Sequence, residues 1–243
     1  IANEMSPYVE LTEFSEILNK LAVKSNDSGM EVRCIMPRFG VINERRHRLH
    51  EVVRLSGINV TVDNDDYPLQ IKVASLPNAR LQVYFLENED FFKRKQIFHD
   101  ETETWFDDNA LRTIFFCKGA LETVKKFGWP PDIIHCSGWM TGLIPAYIKT
   151  AYKKEPVFNN CKVVYTIGQT TFKEKLGADQ VELLRADALT LAASMLARQQ
   201  RFDLIFLDPP FNQEMLEKIL PLCARLLTNT GLLYVEAEHP LTS

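Results

Sequence analysis

The sequence predicts an α/β protein, a mainly parallel sheet with helices on both faces. Two observations carry that prediction, and a third adds an exception to it. Short apolar runs recur at Asp132–His135, Cys161–Ile167, Phe202–Leu207 and Leu232–Glu236, the mark of strands covered on both sides. Stretches with apolar residues at helical spacing lie between them. From Asn59 to Leu86 the pattern changes to strict alternation, which reads as antiparallel hairpins at one edge. The architecture is therefore three-layer and Rossmann-like, with a β-hairpin excursion at about residues 59–86.

The elements follow in order. Ile1–Asn3 read as the last residues of a strand whose beginning lies outside the sequence. Phe14, Ile17, Leu18 and Leu21 mark one face of a helix from about Thr12 to Lys24, ended by Asn26–Gly29. Glu31–Met36 is a strand closed by Pro37. Asn43–His50 is strongly basic and reads as a solvated helix face or loop; the functional alternative is a sugar- or phosphate-contacting patch. The excursion holds strands at Asn59–Val62, Gln70–Val73 and Leu81–Leu86, separated by Asp65–Pro68 and Pro77–Asn78. Asp90–Asp108 is rich in aromatic and charged residues, either packing under a long loop or forming a platform for sugar. Asp107–Asn109 caps a long helix through Lys126 that buries Ile114, Cys117, Leu121 and Val124. Gly128 and the Pro130-Pro131 pair stop it.

The stretch Pro131–Lys149 organises the rest. It reads as a strand, a tight turn through Ser137 and Gly138, and a helix that Thr141 caps. A strand that ends in a polar turn and enters a helix is where open α/β sheets place ligands. Beyond Ala178, Val181–Ala186 is a strand followed by Asp187, and Leu189–Arg198 is a helix. The strand Phe202–Leu207 ends in Asp208-Pro209-Pro210-Phe211. Met215, Leu216, Ile219, Leu220 and Cys223 form a helix face, and Asn229–Gly231 turns into the last strand.

Composition narrows the function classes. The chain has 243 residues, room for one large or two small domains. A net charge of -4 gives no general attraction to nucleic acid or anionic membrane. From Ala178 onward five Lys/Arg stand against nine Asp/Glu, so that region carries the whole deficit. The 5 cysteines form no C-x-x-C pair and read as free thiols in a reducing cytosol. No apolar run is long enough to span a bilayer, so the sequence reads as cytoplasmic, and no metal site is expected.

The residues His135, Cys136, Ser137, Gly138 and Trp139 resemble the central turn of glycogen and starch synthases, retaining glycosyltransferases that build α-1,4-glucan. The family turn has two histidines one residue apart, then an acid or glycine, then tryptophan; here Ser137 replaces the second histidine. Glu4, Pro7, Tyr8 and Met30–Gly40 also match the family. The resemblance covers Ile1–Leu176, is nearest to compact synthase-like proteins of Bacteroidetes type, and implies ADP- or UDP-glucose and glucan as partners. It implies that His135, Ser137, Gly138 and Trp139 contact substrate. The family's phosphate loop does not match, because its lysine falls at Glu10 and its two glycines at Thr12 and Glu13. A glutamate there repels a pyrophosphate. A His-Asn pair of the family is replaced by Gly168-Gln169.

The run FDLIFLDPPF at residues 202–211 resembles S-adenosylmethionine-dependent ribosomal RNA guanine-N2 methyltransferases. That resemblance implies catalytic roles for Asp208, Pro209, Pro210 and Phe211, which would hold an exocyclic amine and stack on a flipped base. It implies that Asp187 meets the cofactor's adenine. The glycine-rich cofactor turn of such enzymes occurs nowhere in the chain. The expectation is thus two parts, 1–176 synthase-like and 177–243 methyltransferase-like, joined near Gly177 as a chimera in one continuous sheet. Neither S-adenosylmethionine nor a nucleotide-glucose is expected to bind well, and the chain is expected to be non-catalytic. The alternative is an RNA methyltransferase acting through Asp208–Phe211.

Overall fold

The computed structural model describes residues 1–55, 57–77, 79–166, 187–207 and 215–235. The chain divides into two compact units, Ile1–Lys175 and Leu176–Ser243.

The first unit is a Rossmann-like α/β domain. Helix α1 (Phe14–Asp27) leads to strand β1 (Arg33–Pro37), then α2 (Glu44–His47) and the short β2 (His50–Glu51). The strands β3 (Ile58–Val62), β4 (Asp65–Ser75) and β5 (Gln82–Glu87) follow, then α3 (Glu89–Phe92) and the long α4 (Asn109–Phe127). The unit closes with β6 (Ile133–Ser137), α5 (Ile144–Lys149) and β7 (Lys162–Thr166). β1 pairs parallel with β5 and β6 parallel with β7, while β4 runs antiparallel to β2, β3 and β5.

Ile1 and Ala2 join the two parallel ladders. The Ala2 amide donates to the Ile35 carbonyl at 3.0 Å, and the Ser137 amide donates to the Ile1 carbonyl at 3.0 Å. The bridge between Ala2 and Ser137 is parallel. The sheet of this unit therefore runs β4, β5, β1, Ile1–Ala2, β6, β7. Chain order reverses on the two sides of Ile1–Ala2, so the crevice at their carboxyl ends is a topological switch point.

Several expectations need correction. Leu81–Leu86 does not belong only to an edge excursion, because β5 lies beside β1 and its Val83, Phe85 and Leu86 have no exposed surface. The hairpin turn sits at Asp63-Asn64 rather than at Asp65–Pro68. Both Asp63 and Asn64 have positive φ (50° and 68°), as a two-residue turn of matching twist requires, and Asp and Asn tolerate that region best. On α1 the buried positions are the small Ser15 and Ala22, whereas Ile17 and Leu21 are 49% and 45% exposed. Asp108 precedes α4 without capping it; its carboxylate is taken by Arg94. The helix does end as expected, with Gly128 in the left-handed region at φ 67°.

The core lies on both sides of α4. Phe115, Phe116, Cys117, Ala120 and Leu121 are fully buried along it. Burying a phenylalanine of this kind contributes roughly 2–3 kcal/mol. Cys117, Leu121, Ile134, Cys136, Ile144 and Phe158 form one cluster that seats β6 and α5 against α4.

In the second unit, α6 (Ala188–Ala197), β8 (Phe202–Leu207), α7 (Met215–Leu226) and β9 (Leu227–Val235) form a strand-helix-strand with a parallel ladder. Leu207, Ile219 and Cys223 make its small core. Asn229–Gly231 is not a turn before the strand; it lies inside β9. The ladder shifts register there, with Phe202 opposite Leu227 but Leu204 opposite Leu232. Gly231 permits this because a Cβ on it would stand 2.9 Å from the Phe202 carbonyl oxygen. Among the described residues, β6–β7 in the first unit and β8–β9 in the second are each a two-stranded parallel ladder.

Candidate functional site

The first unit carries a candidate site at the carboxyl ends of Ile1–Ala2, β1 and β6. Its centre is the turn after β6. Gly138 has φ 84° and ψ 153°, a conformation open essentially to glycine alone. A Cβ there would lie 1.4 Å from Asn3 Oδ1. Asn3 is 3% exposed, and its Oδ1 has no hydrogen-bond partner among the described residues. The Gly138 carbonyl accepts from Thr141 Oγ1 at 2.7 Å, from the Thr141 amide at 3.0 Å and from Tyr165 Oη at 2.9 Å. Burial pushes the Tyr165 hydroxyl up to about 12, so it stays protonated and keeps donating. Thr141 is therefore not the helix cap expected from the sequence. It sits in the 3₁₀ turn Trp139–Thr141, and α5 begins at Ile144 with Pro145 in its first turn.

His135 is a strand residue. Its Nε2 lies 2.7 Å from Thr166 Oγ1, and its carbonyl accepts from the Ile1 α-amino group at 2.6 Å. Burial holds the imidazole below its ordinary value. Ser137 is buried, 5% exposed.

Trp139 turns toward a hairpin that the sequence did not connect with it. Residues Phe98–Phe106 fold back on themselves, with the Phe106 amide donating to the Phe98 carbonyl at 3.0 Å. The Asp100 carboxylate closes the tip, accepting from the Thr102 amide at 2.7 Å, the Thr104 amide at 3.0 Å and Thr102 Oγ1 at 2.6 Å. Asn109 Nδ2 ties the base to α4 through the Phe98 carbonyl at 2.8 Å. The Phe98 and Trp105 rings are parallel at 6.0 Å, and Trp139 meets them edge-on at 4.8 Å and 5.7 Å. All three rings are half-buried. The only hint in the sequence was the aromatic richness of Asp90–Asp108.

The loop after Asn3 forms the other wall. Glu4, 7% exposed, accepts from the Leu11 amide at 3.0 Å, the Thr12 amide at 2.8 Å and Thr12 Oγ1 at 2.7 Å. Sequence reading did not single out this mooring. Tyr8 packs edge-on against Phe85 and His47, both at 4.9 Å. Glu10 is exposed and accepts from Ser6 Oγ at 2.7 Å.

The remaining candidate residues belong to the second unit or lie outside the described residues. Asp187 caps α6, with Oδ1 accepting from the Thr190 amide at 2.9 Å and Thr190 Oγ1 at 2.8 Å. Those bonds hold its carboxyl below the usual range. Asp208, Pro209, Pro210, Phe211 and Gly168 lie outside the described residues. Among the described residues no group of three His, Cys, Asp or Glu is placed to hold a metal, and no helix is long and apolar enough to cross a membrane.

Comparison with known proteins fits this geometry. A family model described as the starch synthase catalytic domain matches residues 1–208. The glycogen synthase of Chlorobium limicola is 39% identical over 168 residues, covering 69% of this chain and 34% of that protein. The glycogen synthase of Chlorobaculum tepidum is 40% identical over 168 residues, with the same coverage of 69% and 34%. The chain thus spans about a third of the length of the curated relatives it matches. Among solved structures, the catalytic domain of starch synthase IV from Arabidopsis thaliana bound to ADP and acarbose aligns with a TM-score of 0.59. It covers 68% of this chain and 32% of that one at 23% identity, which shows a shared fold. The family match runs through residue 208, across the junction expected near Gly177, and gives that junction no support. The chain belongs to the starch synthase catalytic domain family.

Proposed function

We propose that the first unit binds an α-1,4-glucan at the turn Ser137–Trp139, holds nucleotide-glucose weakly, and transfers no glucose by itself. The observation that carries this is the half-buried cluster of Trp139, Phe98 and Trp105 beside the switch-point crevice. Aromatic faces and edges suit the apolar C–H surface of a sugar ring, and the rigid hairpin presents them already ordered. The matched relatives are glycogen synthases, and the solved neighbour is bound to ADP and acarbose. Against strong donor binding stand Glu10, where the family resemblance expects a lysine, and Ser137, where it expects a histidine. The five free cysteines fit a cytoplasmic setting.

The test is parallel calorimetric titration with maltoheptaose, ADP-glucose, UDP-glucose and S-adenosylmethionine. Maltoheptaose should bind, and Trp139→Ala should abolish its heat. Incorporation of labelled glucose into glycogen would overturn the non-catalytic part.

A second reading concerns the remainder, taken as a methyltransferase-like part over 177–243. It is favoured by β8, whose parallel ladder ends at Leu207 directly before Asp208-Pro209-Pro210-Phe211. Asp187 is already engaged as a helix cap, which leaves it a poor partner for an adenine. Transfer of labelled methyl groups to ribosomal RNA, abolished by Asp208→Ala, would install this reading in place of the first.

A further inference from the structure

The basic segment Asn43–His50 has no role in the glucan reading, and its geometry is unusual for a merely solvated turn. Asn43 caps α2, its Oδ1 accepting from the Arg46 amide at 3.0 Å. The Leu49 amide closes the other end on the Glu44 carbonyl at 3.0 Å. Arg48 occupies the left-handed position after the helix, at φ 54°, where glycine is the usual residue. Three arginines, Arg45, Arg46 and Arg48, are therefore exposed on one tightly closed turn.

The one acid of that turn faces away from them. Glu44 is bound by Arg38 and by Lys72, the latter at 2.8 Å. Among the described residues no carboxylate pairs with Arg45, Arg46 or Arg48. Three like charges within four consecutive residues repel one another, and an anion bound by them relieves that repulsion. Arginine is also the residue whose planar fork matches a phosphate's oxygens.

The turn is fixed to the carboxyl-end edge of the sheet. It follows β1, and His47 packs on Tyr8 of the loop that carries Glu10. We propose that Arg45, Arg46 and Arg48 form a binding site for the phosphate groups of a phosphate ester. The site stands independently of glucan binding at Trp139. It places positive charge beside a loop that carries an acid at residue 10.

The probes are inorganic pyrophosphate, ADP and glucose 1-phosphate, titrated at low salt into the full chain and followed by calorimetry. Pyrophosphate should bind, and the triple variant R45Q/R46Q/R48Q should weaken it at least tenfold with an unchanged melting curve. The matched variant K126Q/K153Q/K154Q removes the same charge from exposed lysines elsewhere and should leave binding within twofold. ADP binding more tightly than glucose 1-phosphate identifies a nucleotide as the source of the phosphate; the reverse order identifies a sugar phosphate. Equal loss in both triple variants, or no loss in the arginine variant, would overturn the site. Maltoheptaose binding serves as the internal reference, since its loss alone would count against the glucan reading and not against this one.

Discussion

Gly138→Ala is the most exacting test of the site's construction. Two penalties combine at this residue. The backbone at φ 84° and ψ 153° lies where a side chain costs about 1–3 kcal/mol. The new Cβ would also meet Asn3 Oδ1 at 1.4 Å, and Asn3 is 3% exposed with little room to move. Overpacking of that kind costs about 1–3 kcal/mol. A total near 4 kcal/mol, with a urea slope of about 2 kcal/mol per M, lowers the unfolding midpoint by about 2 M. Tryptophan fluorescence is a clean probe, because Trp105, Trp129 and Trp139 all lie within Ile1–Lys175. The double variant N3A/G138A removes the clash and keeps the backbone penalty. It should therefore be less destabilised than the two single variants added together, by about 1–3 kcal/mol. A G138A midpoint within about 0.3 M of the parent, or strict additivity in the double variant, would refute the packing argument.

Other outcomes follow from the same geometry. Glu4→Gln weakens three hydrogen bonds to a buried carboxylate and should cost about 1–3 kcal/mol, with faster amide exchange at Leu11 and Thr12 as the specific sign. Trp139→Ala should abolish maltoheptaose binding while Trp129→Ala leaves it unchanged, read by calorimetry. Glu44 gives a pH signature. The hydrogen bond from Lys72, opposed by partial burial and aided by Arg38, holds its carboxyl below the ordinary value. A depressed carboxyl stabilises the fold above its unfolded pKa of about 4.3, and that contribution disappears as pH falls through the lower folded value. Urea midpoints from pH 7 down to pH 3 should fall less steeply in Glu44→Gln than in the parent. In the second unit, Asp187→Ala should fray the start of α6, seen as reduced helical circular dichroism.

Local patterns were legible wherever one chain segment settles the matter alone. The stop of α4 at Gly128 followed from glycine's freedom in the left-handed region. The strands at Ile133–Ser137, Lys162–Thr166 and Phe202–Leu207 followed from apolar runs. Boundaries failed where another partner took the group expected to cap a helix. Asp108 was expected to cap α4, but Arg94 holds its carboxylate. Thr141 was expected to cap α5, but its hydroxyl donates to the Gly138 carbonyl.

By itself the sequence determined the α/β class, the alternating excursion, and the family resemblance of the first 176 residues. These are properties of spacing and residue type, which act over a few residues at a time. Only the tertiary structure decided that Ile1–Ala2 lies between β1 and β6, which creates the switch point. It alone set Asn3 against Gly138, brought Phe98 and Trp105 to Trp139, and turned Glu44 inward to leave three arginines facing outward. The physical reason is the same in each case. A contact between residues tens of positions apart depends on which strands neighbour each other, and strand order is set by how the whole core packs, which no local pattern encodes.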